Sequence, residues 1–177
     1  MRYLILLLLA ALAGSATAAE AFRTGPLIEG YGPAIPVADK DVPVDTARQY
    51  RLVFDAAAGA EDADSLNREF ESVARFMNMQ AMNGVPAKNL DLAVVVHGAA
   101  LSAVLSNDAY RQRFGRDNPS LELIQKLAAA GVGIYVCGQS MGFRDITKGE
   151  LSDVAKVGLS AMTLLTTHQI DGYALIP

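Results

Sequence analysis

NLDLAVVVHGAA, Asn89 to Ala100, decides how this chain is read. From Leu90 to Val96 only Asp91 interrupts an apolar run. A strand with one face in a core alternates apolar and polar side chains. A short, nearly continuous apolar run bounded by glycine belongs instead to a strand covered on both faces, as in a parallel sheet. The run ends in His97-Gly98. A second run of the same kind, GIYVC from Gly133 to Cys137, ends in Cys137-Gly138.

The flanking text alternates with these strands. YRLVFDAA, Tyr50 to Ala57, reads as a first strand. Leu66, Phe70, Val73, Met77 and Ala81 then fall at helical spacing, with Asp62 or Asp64 to cap the start and Gly84 to mark the stop. Leu101 to Gly115 reads as a short helical segment and a loop. In DNPSLELIQKLAAAG, Asn118 is expected to cap a helix with Pro119 at its first position and Gly131 past its end. Leu121, Ile124, Leu127 and Ala128 would be its buried face. Thr147 and Glu150 have capping-box spacing. Val154 to Ser160 is read as a strand, although Leu151, Val154, Leu159 and Met162 also suit a helix. Ser160 then caps AMTLLTTHQ, and GYALIP closes the chain as a strand. This β-α order predicts a three-layer α/β/α sandwich with a mostly parallel sheet. Right-handed crossovers put the strand C-termini on one edge, where open α/β sheets bind ligands. His97 and Cys137 would share that edge.

The N-terminus sets the expected compartment. Arg2, the apolar run Leu4 to Ala13 and Ala16-Thr17-Ala18 have the layout of a secretory signal peptide over residues 1–18, so a periplasmic or secreted protein is expected. The run is too short to span a bilayer, and no stable membrane insertion is expected after cleavage. Residues 19–47 hold prolines 26, 33, 36 and 43 and glycines 25, 30 and 32, and read as an extended arm that Leu27, Ile28, Tyr31 and Ile35 could anchor. Residues 48–177 read as one α/β domain. The net charge of −4, made more negative by loss of Arg2, argues against nucleic-acid partners.

The chain has a single cysteine, which cannot close an intrachain disulfide. Two readings of Cys137 follow from its type and place. Backbone N–H groups at a strand-to-helix turn favour a thiolate. A free cysteine is also a small hydrophobe that packs well in a core. His97 could pair with the thiolate or a ligand, or bond only to backbone. His168, late in a helix, reads as structural. Two histidines and one cysteine give no metal-ligand spacing, and no cofactor-binding motif is present. Ser102, Ser106 and Ser140 lack a nucleophile-elbow setting, and Asp108, Asp117 and Asp145 show no partner.

Three stretches together, VVVHGAALSAVL, NPSLELIQKLAAAGVGIYVCGQS and LSAMTLLTTHQIDGYALIP, resemble the DsrE/DsrF-like family from about Tyr50 to Pro177. The resemblance implies a DsrEFH-like fold, a flavodoxin-like relative with a five-stranded parallel sheet, and homo-oligomers, commonly trimers or hexamers. Some cytosolic members carry sulfur as a persulfide on a cysteine after the third strand, and Cys137 matches that position. On a sulfur-handling reading, Cys137 would be the thiolate and His97 a hydrogen-bond donor or charge partner, with Gly98, Gly138, Gln139 and Ser140 as ligand-binding residues. This chain departs from those members in its export layout and its lack of a second thiol, so a sulfurtransferase-like carrier would need a thiol-bearing partner protein. The competing expectation is a non-enzymatic, homo-oligomeric small-ligand-binding or scaffold module in which Cys137 is inert packing. A flavin site is disfavoured, because DAAAGAEDADS is acidic and lacks a hydroxyl-rich phosphate cradle.

Overall fold

A computed structural model describes residues 22–177, so the signal-peptide reading of residues 1–18 lies outside the described residues. Five strands form one sheet: β1 (Tyr50–Ala56), β2 (Leu90–Val96), β3 (Gly133–Cys137), β4 (Ala155–Gly158) and β5 (Ala174–Ile176). Their order is β4-β3-β2-β1-β5, and all four pairings are parallel. The helices are α1 (Arg68–Met82), α2 (Asn107–Phe114), α3 (Leu121–Ala129), α4 (Gly138–Phe143) and α5 (Ala161–Ile170).

Alternation along the strands divides the core into two layers. Leu52, Phe54, Ala56, Leu92, Val94, Val96, Ile134 and Val136 pack with Phe70, Val73 and Met77 of α1 and Leu123, Ile124 and Leu127 of α3. Val53, Ala93, Val95 and Cys137 face the other way, against Ala161, Leu164 and Leu165 of α5. The second layer is thin. One ten-residue helix lies over that face, and Leu159, Met162 and Ile170 beside or on it are exposed. Gly158 permits the close seating of α5, since a Cβ there would lie 2.6 Å from Leu164 Cδ2.

Two helix starts differ from the sequence expectation, for one physical reason. Asp62 does not cap α1. Its Oδ1 accepts from the Asp64 amide at 2.9 Å and the Ser65 hydroxyl at 2.8 Å, closing a turn inside its own loop. The cap is Asn67, whose Oδ1 accepts from the Glu69 amide, so Leu66 lies before the helix. Asn118 likewise holds a turn ahead of α3: its Oδ1 accepts from the Ser120 amide, and its Nδ2 donates to the carbonyls of Ala103 and Leu105. Ser120 therefore takes the cap position, Pro119 precedes the helix, and Leu123 joins Ile124 and Leu127 on the buried face. The Thr147–Glu150 capping box forms, on a short 3-10 turn, and Ser160 caps α5 through the Thr163 amide.

The segment ahead of β1 is held from α1. The side chain of Asn78, fully buried, accepts from the amides of Leu27 and Ile28 and donates to the carbonyls of Ile28, Tyr31 and Gly32. Gly32 has φ +57°, and a Cβ there would overlap the Arg75 amide. Arg23 and Ala34 exchange backbone hydrogen bonds, closing residues 23–34 into a loop over α1 and α3. Ile28 is buried, and Leu27 and Tyr31 are packed against the core. Ile35, expected as an anchor, is 50% exposed, because the chain turns outward after Ala34.

Candidate functional site

The parallel register places the strand ends side by side. Val95 pairs with Tyr135 and Val96 with Val136, so His97 and Cys137 come next on neighbouring strands. Both keep extended backbone, which continues the alternation and puts both side chains on the α5 face. Cys137 also pairs with Gly158 of β4.

Cys137 is the last residue of β3 and the cap of α4. Its Sγ accepts the N–H of Ser140 at 3.4 Å. It is buried, with 4% exposure. Burial raises the thiol's pKa. The Ser140 hydroxyl and the amides of Ser140, Ala161 and Gln139 lower it by more, so the thiol lies below its ordinary value. The donors come from the starts of two helices, α4 following the strand directly and α5 folding back across the face. Gly138 is required by close approach, since a Cβ would lie 2.8 Å from the Gly158 carbonyl oxygen. Gln139 has an exposed side chain and supplies its amide.

His97 is half-buried and does not stand alone. Its Nε2 lies 2.7 Å from Oδ1 of Asp55 on β1. Its backbone amide donates to the Ala56 carbonyl, which fixes the turn out of β2. Gly98 follows with φ +54° in a 3-10 turn, Gly98–Val104. The Gly98 amide donates to Ser140 Oγ at 3.3 Å. Ser140 thus joins the two strand ends, receiving the Gly98 N–H on its oxygen and giving its own N–H to the sulfur.

Three participants escaped the sequence reading. Asp55 is the one acid in an otherwise apolar strand end. Ala161 contributes only an amide. Glu69 accepts from the amides of Ala57 and Ala58 and lines, with Asp55, Phe54, Ser72 and Ile176, a cavity of about 200 Å³. His168 packs elsewhere on the α5 face. Its Nδ1 bonds the Leu164 carbonyl, and its ring sits between those of Tyr135 and Tyr173. Among the described residues no group of three or more His, Cys, Asp or Glu could hold a metal ion, and no helix is long and apolar enough to cross a membrane.

An all-parallel α/β sheet in order β4-β3-β2-β1-β5, with a thiol and an imidazole at its C-terminal edge, defines the class of this protein. The family model for the DsrE/DsrF-like family matches residues 49–177, and the chain belongs to that family. Two solved structures share the fold. One is the protein of unknown function MTH1491 from Methanobacterium thermoautotrophicum, at 17% identity and TM-score 0.53, covering 72% of this chain and 97% of that one. The other is ychN protein from E. coli, at 18% identity and TM-score 0.53, covering 71% of this chain and 96% of that one. No curated protein matches the chain.

Proposed function

We propose that this protein is an exported DsrE-like sulfur carrier in which Cys137 accepts a sulfane sulfur and passes it to a thiol on a partner protein. The observation that carries the reading is the Ser140 N–H donated to the Cys137 sulfur at 3.4 Å, beside the Gln139 and Ala161 amides that also lower the thiol's pKa. Such donors stabilise a thiolate, the nucleophilic form. The step with thiosulfate balances as follows. The Cys137 thiolate attacks the outer sulfur, the donor's S–S bond breaks with its electron pair leaving on sulfite, and a cysteine persulfide anion remains. The amides of Gln139 and Ser140 hold the charge, and His97 serves as a nearby charge partner. The leader layout of residues 1–18 supports action in the periplasm or outside the cell. Cleavage after Ala18 would leave Ala19 as the first residue, which N-terminal sequencing of the secreted fraction checks.

Intact-mass measurement after exposure to thiosulfate or polysulfide tests the reading. A gain of one sulfur atom, absent in Cys137→Ser and reversed by a reductant, is expected. An unmodified Cys137 that iodoacetamide still reaches would overturn it.

A second reading is a homo-oligomeric scaffold or small-ligand module, a trimer or hexamer in keeping with the family resemblance. The thin second layer favours it. Phe143, Leu159 and Met162 are 88%, 69% and 79% exposed, and all three belong to segments that meet at Cys137. A second copy of this chain would cover them. In that reading Cys137→Ser leaves assembly and any cellular phenotype intact.

A further inference from the structure

Asp55 has no place in the reading above, yet it makes the shortest polar contact at this edge, 2.7 Å to His97. The sheet order puts β2 between β3 and β1, so His97 has Cys137 on one flank and Asp55 on the other. All three side chains lie on the α5 face: Asp55 pairs with Val95, Val95 pairs with Tyr135, and His97 and Cys137 are each two residues further on. Neighbouring strands are about 4.8 Å apart, so the ring and the sulfur leave adjacent backbone positions, the ring bonded to Asp55 and the sulfur to the Ser140 amide.

We propose that Asp55 is a positioning residue, which holds His97 with its proton on Nε2 so that Nδ1 is free to take the proton of the Cys137 thiol. The carboxylate accepts the Nε2–H. The neutral ring then has one lone pair, on Nδ1. The S–H bond breaks, the Nδ1–H bond forms, and the electron pair stays on sulfur. Asp55 next stabilises the imidazolium it faces, as a carboxylate does for any histidine it orients. Glu69 of α1 borders the cavity beyond Asp55, with one oxygen engaged by the Ala57 and Ala58 amides. On the β3 side, Ser140 of α4 is tied to the Gly98 amide.

The inference rests on Cys137 being the reactive group, but its test uses no sulfur donor, so it fails or stands apart from the carrier reading. The test is the rate of Cys137 alkylation by iodoacetamide in wild type, Asp55→Asn, His97→Gln and the double variant. Losing the proton acceptor's support by one pKa unit lowers the thiolate fraction, and so the rate near neutral pH, about tenfold. Asp55→Asn is expected to show that loss, to regain the wild-type rate in alkali where the thiol ionises unaided, and to change nothing further in the His97→Gln background. An unchanged neutral rate, a loss that persists in alkali, or an equal loss without His97 would each overturn the proposal. Should the variants fail to fold, nitrogen NMR of the wild-type neutral ring decides: a proton on Nε2 is expected, and a proton on Nδ1 refutes it.

Discussion

Replacing Asn78 with alanine tests how the segment ahead of β1 is held. The amide side chain engages two buried N–H groups and three carbonyls of residues 27–32. Removing it strands both N–H donors, at about 1–3 kcal/mol each when no water replaces the partner. Partial entry of water into the vacated space brings the expected cost to about 3 kcal/mol. The loop's side-chain hydrogen bonds to the domain come from Arg75 and Asn78 of α1 and Lys126 of α3. The cost should therefore surface as local release of residues 23–34 and not as global unfolding. Chymotrypsin cleavage after Tyr31 reads that release. At about 1.4 kcal/mol per factor of ten, the expected rise is on the order of a hundredfold. Far-ultraviolet circular dichroism and the urea midpoint of the domain should change little. Unchanged protection at Tyr31, or a collapse of the whole domain with no selective cleavage, would refute the account of Asn78 as a clamp.

Three further predictions follow from other contacts. The Glu150 carboxyl is held at about 2 by the Thr147 amide, Arg113 and the Thr147 hydroxyl, against an ordinary 4.5. A depressed folded-state value adds stability above the ordinary pKa and loses it as pH falls toward about 2, so Glu150→Gln should destabilise at neutral pH and converge with wild type in that acid window, by thermal melts across pH. Gly158→Ala would put a methyl against Leu164, displace the start of α5 and its Ala161 amide, cost about 1–3 kcal/mol, and raise the alkylation midpoint of Cys137. Leu159→Lys with Met162→Lys should lower the assembly state in sedimentation velocity if a second copy covers α5, while leaving the monomer fold intact by circular dichroism.

The sheet was legible because two apolar runs have no polar face to offer solvent, and because a Gly or a cap residue stands at most boundaries. Even the ambiguous stretch near Gly158 forms the strand β4, where Gly158 serves the seating of α5. Helix starts were less legible. Asp62 and Asn118 have the chemistry of caps, but the same side chains close local turns equally well. The choice falls to distant partners such as Ser120 Oγ, which receives the Asn67 amide. At the site, His97 and Cys137 could be placed on one edge from strand ends alone. Asp55 could not, because its role depends on register across β1 and β2, and a single acid near a strand end carries no signal of its partner. The Ala161 amide was invisible for a related reason: it matters only through where α5 crosses the sheet.

The direct test is the pH dependence of Cys137 alkylation in the folded protein. Converging amide hydrogens should bring the reactivity midpoint below the free-thiol value of about 8.5. A midpoint at or above that value, or a slow rate that does not vary with pH, would mean the sulfur is ordinary packing between a strand and a helix.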